Sequence, residues 1–217
     1  MDHILLFDLD GTLTDSREGI VESVRCALRK LGRPIPGEDT LLRFIGPPLE
    51  DSFQRYCGLT EAGAEEAVRL YRERYNPIGV YENLPAPGLA DYCRKWKAEG
   101  CRLALASSKP EHLCEKVCER FGFAESLEVI AGSQPGAGMS KADVIRSCMA
   151  RMGLTEAEKA RVLMVGDRKF DVEGAAECGL PCVGVEFFGY AEPGELEAAG
   201  AVAVVKTAEE LDAFLRR

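Results

Sequence analysis

Short apolar runs alternate with helix-like segments over most of the second half of the chain. Together with a run near the N-terminus, six segments have the length and aliphatic content of buried strands, at 4–7, 102–106, 127–131, 162–165, 182–185 and 201–205. Apolar residues recur at helical spacing between them, at about 88–99, 110–121, 140–151 and 169–178. A Thr207-x-x-Glu210 capping box predicts a last helix. This alternation predicts an α/β fold, with a Rossmann-like parallel sheet covered by helices on both faces.

The segment after the first strand has a purely helical pattern. Ile20, Val24 and Leu28 belong to one helical stripe, and further helical segments are predicted at about 38–45, 48–57 and 60–75. The first strand cannot bury its apolar run alone, so it must join the sheet formed by the later strands. We therefore predict a core domain of residues 1–15 and 80–217, interrupted by an inserted α-helical cap domain of residues 16–79.

Composition narrows the classes of partner. The 217-residue chain has a net charge of −9, which argues against a surface for nucleic acid, because phosphate backbones are bound by Lys and Arg. No apolar run approaches the ~20 residues of a membrane span. No signal-peptide pattern precedes the first strand, so we expect a cytoplasmic protein. Nine scattered cysteines fit reduced thiols, and their role and the oligomeric state stay open.

The end of the first strand carries two acidic residues. Asp8 and Asp10 flank Leu9, and because strand side chains alternate, the two carboxylates point to the same side. Side-by-side carboxylates repel each other unless they are protonated or bridged by a cation, and Mg²⁺ prefers oxygen ligands. The alternative is a pair of turn-forming residues after an edge strand, since Asp and Gly11 are common in turns.

Polar residues also follow two other predicted strands. Ser107 and Ser108 follow the strand at 102–106, and Asp167 follows the strand at 162–165, with Asp171 four residues later. Open parallel sheets bind ligands at the carboxyl ends of their strands, so these side chains are expected to meet. Lys141 begins a predicted helix, where the helix dipole disfavours a cation unless an anion lies nearby.

The order of these motifs resembles the haloacid dehalogenase superfamily of phosphohydrolases, across essentially the whole chain. The motifs are D-L-D-G-T at 8–12, Ser107, Lys141 and G-D-x-x-x-D at 166–171. The stretches at 44–49, 106–110 and 166–169 are most similar to the phosphoglycolate phosphatase and 5′-nucleotidase-like branch. Ser107 and Lys141 alone would be weak signals, and the specificity comes from the combination.

The resemblance implies an enzyme that uses Mg²⁺. Asp8 is then the nucleophile that forms an aspartyl-phosphate, and Asp10 protonates the leaving oxygen and later activates water. Asp8, the backbone carbonyl of Asp10, and Asp167 would hold the metal ion. Such chemistry depends mostly on positioning and on neutralising phosphoryl charge.

The resemblance also implies a phosphate-binding set and a class of substrate. Ser107, Ser108 and Lys141 would bind the phosphoryl group, and Asp171 would orient Lys141 or a metal-bound water. The substrate would be a small-molecule phosphate monoester, phosphoglycolate-like or nucleotide-like. Arg43 and the turn at Gly46 are candidate substrate contacts on the cap.

Two other functions stay open at this point. A sugar-phosphate mutase of the same superfamily is disfavoured, because the chain has Ile20 and Leu49 where mutases carry polar or basic residues. A non-enzymatic module, either phosphorylated on aspartate or silent, is disfavoured by the inserted cap and the complete set of motifs.

Overall fold

The computed structural model describes residues 2–134 and 138–217, which belong to two compact units. One unit comprises Met1–Thr14 and Pro85–Arg217, and the other comprises Asp15–Leu84. The first contains a six-stranded sheet, whereas the second is mainly helical. The role of the second unit as a cap over the first stays a prediction.

The elements of the described residues are numbered in chain order. The strands are β1 (Ile4–Phe7), β2 (Thr14–Asp15), β3 (Leu84–Pro85), β4 (Arg102–Pro110), β5 (Val129–Ser133), β6 (Val162–Gly166), β7 (Cys182–Val185) and β8 (Ala203–Val205). The helices of the second unit are α1 (Arg17–Lys30), α2 (Glu38–Leu42), α3 (Leu49–Cys57) and α4 (Glu61–Tyr75), followed by a 3₁₀ turn at Gly79–Tyr81. Those of the first unit are α5 (Leu89–Ala98), α6 (Glu111–Arg120), α7 (Lys141–Arg151), α8 (Glu156–Lys159), α9 (Lys169–Glu177), α10 (Glu195–Ala199) and α11 (Ala208–Leu215).

The large sheet is parallel and has the order β5-β4-β1-β6-β7-β8. The predicted α/β fold with a parallel, Rossmann-like sheet is confirmed. Its first strand lies at the centre, between β4 and β6, with Phe7 in register with Leu105 and Val165. The carboxyl ends of these three strands therefore lie side by side, which places the polar residues that follow them at one edge of the sheet.

Side chains of β1 alternate between two hydrophobic layers. Ile4 and Leu6 belong to a buried cluster that includes residues of α7 and α9, such as Val144 and Val172. Phe7 points the other way and stacks on Trp96 of α5, with the ring centroids 6.2 Å apart. Because both faces of the strand are covered, β1 is apolar throughout, which is typical of a central parallel strand.

The second unit is built on the packing of α1 against α4. The segment after α4 also passes very close to α1, since a Cβ atom on Gly19 would lie 2.0 Å from the Gly79 carbonyl oxygen. Arg74 of α4 forms two hydrogen bonds of 2.8 Å with the Glu82 carboxylate and contacts Ser23 Oγ at 3.2 Å. These contacts fix the segment that follows α4 on α1.

Several local predictions were wrong in detail. The strand predicted at 127–131 is β5 at Val129–Ser133, because Leu127 is buried in the preceding turn instead. The helix predicted at 38–45 ends at Leu42. The Thr207 hydroxyl caps α11 as predicted, but Glu210 accepts a hydrogen bond from the Lys206 N–H instead of completing the box.

Other features were not predicted or lie outside the described residues. Helices α8 and α10 and the two-stranded sheet β2–β3 have no counterpart in the sequence prediction. Residues 135–137, between β5 and α7, are not among the described residues. Within residues 2–134 and 138–217, none of the helices has the length and apolar character needed to span a bilayer.

Candidate active site

Asp8 and Asp10 follow the central strand directly. The Asp8 N–H donates to the Val165 carbonyl oxygen at 2.9 Å, which continues the parallel pairing for one more residue. Gly11 then turns the chain with a φ of +89°, a conformation that favours glycine. A Cβ atom on Gly11 would also lie 2.1 Å from Asp167 Oδ2, so only glycine lets this turn pass so close to the end of β6.

Lys141 enters the site from the first turn of α7. The helix begins with a capping box between Ser140 and Asp143, which fixes the backbone next to the lysine. The Lys141 ammonium lies 2.5 Å from Asp8 Oδ1 and 2.7 Å from Asp171 Oδ1. Gly174 of α9 makes room for its stem, since a Cβ atom there would lie 2.8 Å from Lys141 Cγ.

Asp167 and Asp171 occupy different environments although both are buried. Asp171 lies in the first turn of α9, where its Oδ2 accepts a hydrogen bond of 3.1 Å from the Arg168 N–H, and its Oδ1 pairs with Lys141. Asp167 Oδ1 accepts a hydrogen bond of 3.2 Å from the Thr12 hydroxyl. Asp167 Oδ2 is buried without a hydrogen-bond partner among the described residues. A buried carboxylate oxygen without a hydrogen-bond donor is chemically suited to bind a cation.

The carboxyl groups perturb one another. Burial is the main reason that the pKa of Asp8 lies above its ordinary value; Lys141 opposes this shift, and the Asp171 carboxylate adds to it. Burial also raises the pKa of Asp167 well above its ordinary value, and the charges of Asp171 and Asp8 add to the shift. Burial alone would lower the pKa of Lys141, but the two carboxylates beside it outweigh burial and raise that pKa.

The geometry of this cluster fits a divalent cation. Asp8, Asp167 and Asp171 each offer one carboxylate oxygen, and the three oxygens lie within 4.8 Å of one another. Oxygen ligands in such a group suit Mg²⁺, which commonly binds one or two carboxylates and keeps several waters. Asp167 Oδ2 has no donor among residues 2–134 and 138–217, and the pKa of Asp167 is raised. Both observations indicate negative charge that these residues leave uncompensated.

Ser107 and Ser108 differ in position. Ser107 is buried near the end of β4 and its side chain hydrogen-bonds to the Asp8 carboxyl group. Ser108 points outward and is exposed. The structure thus brings Ser107 together with Asp8, Lys141, Asp167 and Asp171, whereas the Ser108 side chain lies at the surface of the same strand.

Lys109 is a residue that the sequence prediction did not assign to the site. Its ammonium lies 2.9 Å and 2.8 Å from the two carboxylate oxygens of Asp10. The sequence spacing could have identified Lys109, because Ser107 and Lys109 are two residues apart on one strand and therefore share a face, as Asp8 and Asp10 do.

The predicted cap contacts belong to the second unit. Arg43 is exposed and directly follows α2, and Gly46 is exposed with a φ of +102°. Their contact with substrate stays a prediction.

The chain is similar to known hydrolases over most of its length. Residues 5–185 match the family model of haloacid dehalogenase-like hydrolases. The chain is 41% identical over 195 residues to a 5′-nucleotidase of Pseudomonas aeruginosa, covering 89% of this chain and 86% of the relative. It is 30% identical over 216 residues to a phosphoglycolate phosphatase of Cupriavidus necator, covering 97% and 92% of the two chains.

A relative described as a kinase and a solved structure described as a phosphatase are also similar to the chain. The tyrosine-protein kinase PtkA of Mycobacterium tuberculosis is 41% identical over 182 residues, which cover 83% of this chain but 60% of the relative. The crystal structure of a predicted phosphatase from Clostridium acetobutylicum superposes with a TM-score of 0.91 at 36% identity, and covers 99% of both chains.

The fold and site define an α/β protein with a carboxylate cluster at the end of its central strand. The chain belongs to the haloacid dehalogenase-like hydrolases, which confirms the resemblance found in the sequence. It is an enzyme of a family that includes relatives named as phosphatases, as predicted.

Proposed function

We propose that the protein is a Mg²⁺-dependent phosphatase that hydrolyses a small-molecule phosphate monoester, phosphoglycolate-like or nucleotide-like, through an aspartyl-phosphate on Asp8. The observation that carries the proposal is the environment of Asp8. Its carboxylate lies 2.5 Å from the Lys141 ammonium. An Asp8 oxygen also lies within 4.8 Å of an oxygen of Asp167, whose Oδ2 has no hydrogen-bond partner among the described residues.

The charge of the site supports a divalent cation. With all groups ionised, the four carboxyl groups and two ammonium groups described above leave two negative charges in excess. Asp8, Asp167 and the backbone carbonyl of Asp10 would hold Mg²⁺. When bound, Mg²⁺ would supply Lewis-acid stabilisation of charge on the phosphoryl oxygens.

The first half of the reaction uses Asp8 and Asp10. A carboxylate oxygen of Asp8 attacks phosphorus, the bond between phosphorus and the ester oxygen breaks, and Asp10 gives its proton to the leaving oxygen. Lys141 and the Ser107 hydroxyl bind the phosphoryl oxygens, whereas the exposed Ser108 side chain takes no part in this step. Asp171 holds Lys141 in place through their 2.7 Å ion pair.

The second half regenerates the enzyme. Asp10, now ionised, takes a proton from a water molecule, and the oxygen of that water attacks phosphorus. The bond between Asp8 and phosphorus breaks, which restores the Asp8 carboxylate and releases inorganic phosphate. Burial of Asp8 and Lys141 strengthens their interaction with the transferring group, because charges interact more strongly away from water.

The experiment is phosphate release from a panel of phosphate esters, including phosphoglycolate and nucleoside monophosphates, with and without Mg²⁺. The wild type, Asp8→Asn and the matched control Asp91→Asn are compared, since Asp91 is 79% exposed at its side chain. We expect Mg²⁺-dependent release by the wild type and the control, and loss of release in Asp8→Asn. Release that Asp8→Asn retains, or release that is indifferent to Mg²⁺, would contradict the proposal.

A further inference from the structure

Lys109 forms a second buried ion pair beside the one made by Lys141. Its side chain is 6% exposed and that of Asp10 is 14% exposed, and the ammonium contacts both carboxylate oxygens of Asp10. A single ammonium within hydrogen-bond distance of both oxygens restricts rotation of the carboxyl group. The Asp10 side chain is therefore held in one orientation by a neighbour on β4.

The backbone of Lys109 is itself fixed. Its N–H donates to Ser107 Oγ at 3.4 Å, and its carbonyl oxygen accepts from Cys114 Sγ at 3.5 Å. The carbonyl oxygen also lies 2.7 Å from where a Cβ atom on Gly132 would be, so β5 approaches this backbone closely because residue 132 is glycine. The ammonium consequently extends from a rigid base.

Stability does not account well for this pair. Burying an ion pair costs several kcal/mol of desolvation per ion in typical proteins, and apolar replacements of buried pairs are often neutral or stabilising. Because Lys109 contacts the proposed general acid, control of the orientation of the Asp10 carboxyl group explains the pair better than stability does. Small displacements of a reacting group cost rate steeply, by ~100-fold for about 1 Å.

We infer that Lys109 is a positioning residue, which holds the Asp10 carboxyl group in the orientation from which it transfers its proton. This inference rests on the proposed function of Asp10. It distinguishes the two lysines of the site: Lys141 pairs with the nucleophile and binds the phosphoryl group, whereas Lys109 acts through Asp10.

The inference predicts a dependence on the leaving group. An alkyl phosphate needs a proton on its leaving oxygen, whereas nitrophenolate departs as a stable anion. A loss of Asp10 positioning therefore slows alkyl esters much more than nitrophenyl phosphate. A phosphate contact or a general folding defect would slow both classes of ester equally.

The experiment measures kcat/KM with Mg²⁺ for an alkyl phosphate and for nitrophenyl phosphate, because kcat/KM includes the step in which the leaving group departs. The proteins are the wild type, Lys109→Met, Asp10→Asn as the reference for a lost acid, and Lys95→Met as a matched control. The Lys95 side chain is 45% exposed and pairs with Asp212. Thermal unfolding checks folding, and Lys109→Gln replaces Lys109→Met if the latter does not fold.

We expect Lys109→Met to lower kcat/KM for the alkyl ester by about 10–100-fold, because a misplaced acid loses part of the ~10²–10⁴-fold effect of general acid catalysis. For nitrophenyl phosphate we expect a loss of no more than about threefold. Asp10→Asn should shift selectivity in the same direction, and Lys95→Met should not shift it. Equal losses on both esters, or no loss, would overturn the inference while the proposed function stands. Absence of turnover by the wild type on every ester would instead overturn the proposed function, and the inference with it.

Discussion

Replacement of Asp167 by asparagine should stabilise the protein when divalent cations are absent. Asp167 Oδ2 is buried and has no hydrogen-bond partner among the described residues, while Oδ1 accepts from Thr12 at 3.2 Å. An asparagine has nearly the same shape, keeps the acceptor for Thr12, and carries no charge. Its amide N–H groups would face oxygens of Asp8 and Asp171, which lie within 4.8 Å of the Asp167 oxygen.

The size of the effect follows from the cost of an unsatisfied buried group. Such a group costs about 1–3 kcal/mol, and more when it is charged. We therefore expect Asp167→Asn to raise the free energy of unfolding of the metal-free protein by about 2 kcal/mol. For a chain of this size, that corresponds to a rise in Tm of roughly 4–8 °C.

Asp171 provides a matched control with the opposite sign. It is as buried as Asp167, but its two carboxylate oxygens bind the Lys141 ammonium and the Arg168 N–H. Removing one partner of a buried ion pair typically costs 3–5 kcal/mol, and because asparagine keeps the shape we expect Asp171→Asn to destabilise by about 2–3 kcal/mol.

The assay is thermal and urea unfolding at pH 7 in chelator and in excess Mg²⁺. A ligand that binds only the folded state at about 100 times its Kd stabilises by ~2.7 kcal/mol. The wild type should show such a gain with Mg²⁺, and Asp167→Asn should show much less. A metal-free Asp167→Asn that is less stable than the wild type, or equal gains with Mg²⁺, would refute this account of the cluster.

Two further changes test other contacts of the core unit. Asp212→Ala should destabilise by about 1–3 kcal/mol, because the buried Trp96 indole N–H loses its 2.7 Å acceptor. Arg216 is the main cause that holds the pKa of Asp212 below its ordinary value. The difference in unfolding free energy between the wild type and Asp212→Ala should therefore be full at neutral pH, and should shrink as the pH falls from the ordinary carboxyl pKa toward the lowered one. Gly174→Ala should displace the Lys141 stem and lower kcat/KM by about 10–100-fold, measured with nitrophenyl phosphate.

Matched variants control both tests. Asp91→Ala removes an exposed carboxylate that pairs with Arg94, and should change stability by less than about 0.5 kcal/mol. Gly37→Ala adds a methyl group where no atom lies within 4 Å, and should leave kcat/KM unchanged. An Asp212→Ala protein as stable as the wild type at pH 7, or a Gly174→Ala enzyme with full activity, would contradict the corresponding contacts.

Much of the core fold could be predicted from the sequence because its strands are buried on both faces. Ile4–Phe7 and Val162–Gly166 are uninterrupted apolar runs, and short runs of this kind that alternate with helices are typical of central parallel strands. The short helices at Glu156–Lys159 and Glu195–Ala199 were not predicted, since one helical turn has no periodicity to detect. The start of β5 was misplaced because burial of Leu127 in a turn mimics a strand residue.

The candidate site could likewise be predicted only in part from the sequence. Alternation along strands predicted that Asp8 and Asp10 share a side, and the geometry of parallel sheets predicted which strand ends lie together. The partner of each carboxylate depends on side-chain reach from other elements, which the sequence pattern does not specify. That is why the ion pair of Asp10 with Lys109 emerged only from the structure. For the same reason, the sequence could not predict that Asp167 Oδ2 lacks a hydrogen-bond partner in the described part of the chain.

The central claim is that Asp8 carries the phosphoryl group during turnover. The most direct measurement is acid quenching of the enzyme during turnover of nitrophenyl phosphate with Mg²⁺, followed by mass spectrometry of the peptide that contains residue 8. We expect one added phosphoryl group on that peptide in the wild type and none in Asp8→Asn. Steady phosphate release with no phosphoryl group on the Asp8 peptide, together with an active Asp8→Asn variant, would contradict the claim.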